Sequence, residues 1–136
     1  MAAVGAEPTA KRTLLAEAPA QGAPGRMLGL STVTVPAGVE LAKHHHPGTQ
    51  LGEIVSGRLT YTVFKGAVLV YRANADGVPV LSRTIRAGST VVLRPGDTVS
   101  EEPSDIHMAA NRGTVPVRIA LATLFPKGAP AAIPVK

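Results

Sequence analysis

The feature that most constrains this fold is the alternation of short β-forming runs with turn residues. From Met27 onward, runs of 4–10 residues rich in Val, Thr, Leu and Ile are separated by Gly, Pro and Asn-Asp clusters. Many runs alternate in polarity, as half-buried strands do, and none keeps the 3.6-residue apolar period of a helix. Many short antiparallel strands hide their edges best in a sandwich or closed barrel. We therefore predict an all-β domain.

The 136-residue chain is the size of one domain, with ends that differ from its middle. Ala, Pro and Gly dominate residues 1–25 and return in residues 127–136. We predict a flexible N-terminal arm over 1–25, in which only Thr13–Ala18 could form a short strand or helical turn, a barrel over 26–126, and a loose tail over 127–136. The predicted strands of the barrel are Met27–Val35, Val39–Lys43, Leu51–Val55, Leu59–Phe64, Ala67–Arg72, Val80–Arg86, Thr90–Leu93, Ile106–Ala110 and Val115–Leu124.

Composition narrows the classes of partner. Cysteine is absent, which excludes disulfides and thiolate metal sites. The net charge is +5, but the Lys and Arg residues are scattered, and two Tyr, two Phe and no Trp leave few stacking platforms for bases. We therefore expect no nucleic-acid partner. The first 25 residues hold no apolar run like that of a signal peptide, and no run is long enough to span a membrane, so we expect a cytoplasmic protein without a membrane partner.

The four histidines carry the strongest chemical signal. His44, His45 and His46 are consecutive, and His107 lies in the last third of the chain. On a strand, side chains two residues apart share a face, so His44 and His46 point the same way and can converge on one ion, while His45 points away. Neutral imidazole suits Zn, Cu, Fe and Ni. Gln50, just after the Pro47-Gly48 turn, can bring its amide oxygen back toward the same ion.

The spacing around these residues resembles that of the cupin superfamily. Gly38 is followed after five residues by His44-His45-His46, after three more by Gln50, and after six more by Gly57. The first cupin motif has the same Gly, His-x-His and Gly anchors, with Glu where this chain has Gln50. The second motif matches in pieces: Gly88, then Pro95-Gly96 shifted by one residue, then His107 and Asn111 at the expected interval. Ten residues separate Gly96 from His107 where the motif has two.

The resemblance implies a fold, a ligand set and an assembly. The fold would be a double-stranded β-helix, or small jelly-roll barrel. One divalent transition metal, with Zn or Ni favoured and Mn, Fe or Cu possible, would be held by His44, His46, Gln50 and His107. A homodimer is common among cupins.

The ten residues between Gly96 and His107, eight more than the motif has, form an insert that could fold over the mouth of the barrel as a loop. This segment, Asp97–Ile106, contains Glu101, Glu102 and Asp105. One of its carboxylates could act as a general base or replace the missing Glu as a ligand. Glu102 is our first choice for this catalytic role, and Glu101 is the second.

Three functions follow from the resemblance. Replacing Glu by Gln removes a negative charge beside the ion and makes it a stronger Lewis acid, which favours isomerisation, cyclisation or another proton-transfer step on a small oxygen-bearing organic substrate. Polyketide cyclases and sugar ring-opening enzymes are similar in this respect. The alternatives are a dioxygenase-type cupin and a non-catalytic protein that binds or senses a small molecule. A base within reach of the ligand would distinguish an enzyme from the binding protein.

Overall fold

A computed structural model describes residues 8–136, and these residues form twelve β-strands in two antiparallel sheets. We number the strands in chain order. The larger sheet contains, in spatial order, β1 (Lys11–Pro19), β2 (Arg26–Val35), β11 (Val117–Pro126), β4 (Thr49–Ser56), β9 (Thr98–Glu101), β6 (Ala67–Ala73) and β7 (Pro79–Arg86). The smaller sheet contains β12 (Ile133–Pro134), β3 (Glu40–His45), β10 (Ile106–Ala110), β5 (Leu59–Lys65) and β8 (Thr90–Leu93).

The predicted all-β jelly-roll architecture is confirmed. Each of the nine predicted runs contains an observed strand whose ends lie within two residues of the predicted ones. Burial alternates along these strands, most regularly in β4 and β11. No helix among residues 8–136 is long and apolar enough to cross a membrane.

Both ends of the chain are more ordered than their composition indicates. In place of a flexible arm, β1 runs antiparallel along β2, from the Lys11–Thr34 pair to the Pro19–Met27 pair. The C-terminal tail is not loose either, because β12 pairs with the end of β3 at His44 and His45. Backbone hydrogen bonds to a paired strand order both segments, and composition carries no record of such bonds. Residues 1–7 of the expected arm lie outside the described residues.

The segment Asp97–Ile106 is also not a loop over the barrel mouth. Its first half is β9, which lies between β4 and β6 inside the larger sheet. A buried aspartate secures each end of this strand. Asp97 accepts hydrogen bonds from the Arg72 guanidinium at 2.6 Å and from the Arg94 backbone N–H at 2.9 Å. Asp105 accepts one from the Glu102 backbone N–H at 2.8 Å, which closes the turn before β10.

The hydrophobic core fills the space between the two sheets. Its most buried members include Ile54, Val63, Val68 and Leu93, each with at most 1% of its surface exposed. On β4, residues 50, 52 and 54 are buried and Glu53 is exposed, as the alternation of side chains along a strand requires. The interior is not filled throughout, and the unfilled part is the cavity described below.

Two glycines fix β4 against its neighbour β11. Gly57 has a φ of +81°, and a Cβ there would lie 2.7 Å from the Pro116 carbonyl oxygen. At Gly48, a Cβ would overlap the carbonyl oxygen of Leu124. The turns at both ends of β4 approach β11 so closely that neither position has room for a side chain. These close contacts set the register that carries Gln50.

The parity of β4 can be tested with two adjacent substitutions. We expect Ile54→Ala to lower the free energy of unfolding by about 2 to 5 kcal/mol, because it opens a cavity in a closed core. Val55→Ala removes a side chain that is 53% exposed and should cost less than about 1 kcal/mol. Chemical denaturation of the two variants measures the difference. Equal losses would contradict the assignment of the inward face.

Candidate metal centre

Two cross-strand pairs face each other inside the barrel. On the smaller sheet His107 of β10 is the register partner of His44 of β3. On the larger sheet Gln50 of β4 is the register partner of Glu101 of β9. His46 follows directly after β3. The Cβ atoms of register partners lie about 4.5–5.5 Å apart, and their side chains project to the same side of a sheet. Each sheet therefore presents a compact polar pair to the interior.

A β-bulge turns His44 inward. Between the pairs His107–His44 and Ala109–Leu41, one residue of β10 opposes two residues of β3. The extra residue shifts the alternation, so that both Leu41 and His44 line the interior although three positions separate them. The Nδ1 atom of His44 then lies 2.6 Å from the carbonyl oxygen of Ala42, on the bulge itself.

Backbone carbonyls also fix the ring orientation of two histidines. His44 Nδ1–H donates to Ala42, and His46 Nδ1–H donates to the carbonyl oxygen of Ala131 at 2.8 Å. Each ring therefore keeps Nε2 as the unprotonated nitrogen. Ring N–H groups held in this way are the usual support for histidines that bind a metal.

The spacing of the ring nitrogens fits one ion. Each of His44, His46 and His107 offers a nitrogen, and these three nitrogens all lie within 4.8 Å of one another. The Nε2 atoms of His46 and His107 are 3.3 Å apart. Two nitrogens bound at about 2.0–2.1 Å to a tetrahedral ion are separated by roughly this distance. The three histidines therefore fit a divalent transition metal.

Glu101 lies beside the histidines and has more hydrogen-bonding neighbours than any other side chain of the site. Its carboxylate accepts hydrogen bonds from Tyr61 O–H at 2.6 Å and Gln50 Nε2–H at 2.9 Å, and its Oε2 is 2.6 Å from His107 Nε2. Burial alone would raise the pKa of Glu101, but the hydrogen bond from His107, the charges on His107 and His46, and the bond from Tyr61 lower it to about 2. A carboxylate that is only 3% exposed is thus held ionised.

The structure separates the two predicted catalytic carboxylates. Glu101 faces the histidines, whereas Glu102, our first choice, is exposed and accepts a hydrogen bond from Thr49 Oγ1 at 2.8 Å. Of the two carboxylates, Glu101 is therefore the one beside the histidines, and a catalytic role for it stays a prediction. The reason is strand parity, because adjacent residues at the end of β9 project to opposite faces of the sheet.

Gln50 lies in the centre with its amide nitrogen turned toward the other polar groups. Nε2 is 3.2 Å from His46 Nε2 and donates to Glu101, while the buried Oε1 has no hydrogen-bond partner. Ligation through Oε1 would require the amide to turn over, which would set its oxygen against the Glu101 carboxylate. A role of Gln50 as a ligand stays a prediction, and its contact with Glu101 is the observed one.

Burial also sets the charge of the histidines. Burial lowers the pKa of His44 to about 4, despite the hydrogen bond to Ala42, and it lowers the pKa of His46 as well. Both rings are thus neutral around pH 7. Neutral imidazole is the form that binds a metal.

The polar groups line a cavity of about 360 Å³. Apolar side chains from both sheets form most of its wall, among them Val33, Leu41, Leu93, Val99, Ile119 and Leu121. The ordered ends of the chain complete it: Ala10 and Arg12 line it on the N-terminal side, and Ala131 lines it on the C-terminal side. Its volume is within the range of small-molecule sites.

Solved structures share this architecture. A cupin 2 domain-containing protein from Halorhodospira halophila is 17% identical with a TM-score of 0.60, over 98% of this chain and 76% of that one. KdgF from Halomonas sp. is 19% identical with a TM-score of 0.57, over 88% of this chain and 83% of that one. The DMSP lyase DddQ from Ruegeria pomeroyi DSS-3 is 18% identical with a TM-score of 0.57, over 93% of this chain and 51% of that one.

The chain has the cupin fold. No protein-family model matches the sequence, and no curated protein matches it. At these identities the similarity establishes the fold, and the chemistry of this chain has to be argued from its own residues.

Three contributors to the site lie where the sequence pattern does not indicate them. Tyr61 belongs to the predicted run Leu59–Phe64, in which a tyrosine is usually a packing residue, yet its hydroxyl donates a hydrogen bond to the buried carboxylate of Glu101. Arg12 and the Ala131 carbonyl lie in segments whose composition predicted an arm and a tail. The usable signal for Glu101 was the short alternation Thr98-Val99-Ser100-Glu101, which places Glu101 on the same face as the apolar Val99.

The lowered pKa of His44 predicts how the free energy of unfolding of the metal-free protein changes with pH. Protonation of His44 is disfavoured in the folded state, so its contribution is fully present above pH 6.5 and is lost as the pH falls toward 4. We expect wild type to lose about 2 to 3 kcal/mol more of its free energy of unfolding between pH 7 and pH 4.5 than His44→Gln does. Urea denaturation of both proteins in EDTA measures this difference. Parallel losses in the two proteins would refute the buried, neutral state of His44.

Proposed function

We propose that this cupin is a divalent-metal-dependent enzyme that catalyses a proton-transfer reaction, such as an isomerisation or elimination, on a small oxygen-bearing organic substrate. One observation carries the proposal. The ionised carboxylate of Glu101 lies within 2.6 Å of the histidine cluster, in a cavity whose wall is mostly apolar. A candidate base therefore lies directly beside a candidate Lewis-acid site.

His44, His46 and His107 are the residues that would hold the metal, and Nε2 of His107, which donates a hydrogen bond to Glu101, would lose its proton when the ion binds. A bound divalent ion would supply Lewis acidity, which polarises a substrate oxygen and acidifies the neighbouring C–H or O–H bond. All-imidazole ligation supports Zn or Ni and leaves Mn, Fe and Cu possible. Three protein ligands leave coordination positions open, as catalytic sites require.

Glu101 is the residue that would accept and return the proton. Its carboxylate is ionised and shielded from bulk water, and its neighbours hold it in one orientation. Tyr61 keeps its hydroxyl proton, because burial and the Glu101 carboxylate both raise its pKa. The Tyr61 hydroxyl therefore stays a donor that steadies one carboxylate oxygen, while Gln50 steadies the other.

The structural relatives support this class of chemistry without fixing the reaction. One of them, DddQ, is a lyase by name. The second candidate function, binding without turnover, is supported by the apolar wall, which would suit a carrier as well as an enzyme. A homodimer and a cytoplasmic location remain predictions.

The metal requirement can be tested on protein purified without a histidine tag. We expect near-stoichiometric Zn or Ni by elemental mass spectrometry, and its loss in the His44→Ala/His46→Ala double variant. His45→Ala is the matched control, because His45 lies outside the cluster. Wild-type protein that takes up no metal after incubation with Zn, Ni, Mn and Fe would refute the metalloenzyme proposal.

The role of Glu101 can be separated from metal binding. Exchange of carbon-bound hydrogen with D₂O, followed by NMR in hydroxyacetone, pyruvate and levulinate, reports proton abstraction next to a carbonyl. We expect Glu101→Gln to keep its metal and to exchange at least about 100-fold more slowly than wild type. The adjacent variant Glu102→Gln should exchange at the wild-type rate.

Two results would count against this role. Equal exchange by Glu101→Gln and wild type would remove Glu101 as the base. Metal-loaded wild type that binds these compounds and exchanges none of them would favour the binding protein.

A further inference from the structure

We propose that Arg12, on the N-terminal strand β1, binds a carboxylate group of the substrate, so that this cupin acts on small organic carboxylates. The inference rests on the proposed function for the location of the reacting end, and it adds the substrate class. It assigns a binding role to a segment that the sequence alone predicts to be a flexible arm.

Arg12 reaches the cavity by strand parity. Its register partner on β2 is Val33, which lines the same cavity and packs against the core. Ala10, two residues earlier, also lines the cavity and packs against the core, as the alternation of an extended chain requires. Lys11 between them is exposed. The side chain of Arg12 is therefore on the inward face, half-buried at the edge of the sandwich.

The guanidinium is available to a ligand. The ion pairs formed by arginines within residues 8–136 are those of Arg72 and Arg83 with Asp97, and Arg12 has neither an ion pair nor a side-chain hydrogen bond in that range. Burial lowers the pKa of Arg12, although Glu17 opposes this effect, which is consistent with partial removal from water. A partly desolvated guanidinium binds a carboxylate strongly, because its planar donors match the two oxygens.

The charges that line the cavity favour an anion. Glu101 is the one carboxylate among its lining residues, and Tyr61, Gln50 and His107 already surround it. Two cations, Arg12 and Lys43, line the same cavity. A neutral substrate would leave this excess of positive charge uncompensated, whereas a carboxylate would neutralise part of it.

Arg12 is the better placed of the two cations. The ammonium of Lys43 lies 4.6 Å from the centre of the Phe64 ring, in a cation–π contact, and Phe64 is exposed on the outer surface. Arg12, in contrast, has no such contact within residues 8–136, and its side chain lines the cavity that the three histidines also line.

The lining residues define the class of the substrate. Its reacting oxygen would face the three histidines, its carboxylate would bind Arg12, and its aliphatic part would contact apolar side chains such as Val33, Ile119 and Leu121. Small carboxylates that also contain a carbonyl group have this pattern. Sugars with hydroxyl groups on every carbon would leave polar groups unpaired against the apolar wall.

The proposal can be tested by binding alone, without knowledge of the reaction. Isothermal titration calorimetry with hexanoate and its neutral counterpart hexanamide measures the preference for a carboxylate. We expect wild type to prefer hexanoate, and Arg12→Gln to lose roughly 10- to 100-fold in hexanoate affinity with little change for hexanamide. Arg12→Lys should retain part of the preference. Arg26→Gln, an exposed arginine on β2, is the matched control and should bind as wild type does.

The same titrations on the metal-free His44→Ala/His46→Ala variant separate this proposal from the proposed metal centre. A preference for hexanoate that persists in this variant and disappears in Arg12→Gln supports Arg12 as the carboxylate site, even if the protein binds no metal. Three results would overturn the proposal: a preference that survives in Arg12→Gln, a preference lost in Lys43→Gln but not in Arg12→Gln, or no preference in wild type. A preference that disappears only in the histidine variant would place the carboxylate at the histidines and would also overturn it.

Discussion

The burial of one carboxylate between two sheets is the constraint on which the site depends. An ionised carboxylate is very costly to remove from water unless hydrogen bonds compensate it. Glu101 receives that compensation from Gln50 on the larger sheet and from Tyr61 and His107 on the smaller one. Because the donors belong to both sheets, the charge is tolerated only when the sandwich is closed. The fold and the site therefore form together.

The histidine cluster follows a similar logic with a different outcome. Burial disfavours the charged form of His44 and His46 and keeps both rings neutral at pH 7, although the Glu101 carboxylate, 3.8 Å from His46 Nε2, acts in the opposite direction. Carbonyl oxygens of Ala42 and Ala131 then determine which ring nitrogen carries the hydrogen. The cluster thus combines two unprotonated nitrogens with a nearby fixed anion. Two nitrogen lone pairs beside a negative charge favour the binding of a cation.

The chain ends complete what the barrel begins. The C-terminal segment provides the carbonyl that orients His46 and pairs with β3 beside the site. The N-terminal strand closes the edge of the larger sheet and brings Arg12 to the cavity. A barrel limited to residues 26–126 would contain the histidines and Glu101 but would lack both of these contributions. The residues that form the site therefore come from nearly the whole described chain.

The sequence determined the local part of this architecture. Alternating polarity and turn residues predicted nine strands, because the period of two and the turn propensities act over a few residues. The His-x-His spacing, with Gly38 and Gly57 at fixed intervals, indicated the family of folds and selected the histidines that the structure brings together. Each of these signals lies within one strand and the turns that bound it.

Only the tertiary structure showed that Glu101, and not Glu102, faces the histidines. It also turned the Gln50 amide toward Glu101 and placed Arg12 and the Ala131 carbonyl at the cavity. β9 is four residues long, and its inward face is set by hydrogen bonds to β4 and β6 rather than by its own pattern. Strand β1 contains few buried residues and is held mainly by its pairing with β2. The pairings of β9 join segments distant in sequence, whereas only six residues separate β1 from β2, and in both cases the energy of the pairing depends on the partner strand. A single sequence read locally does not contain that information.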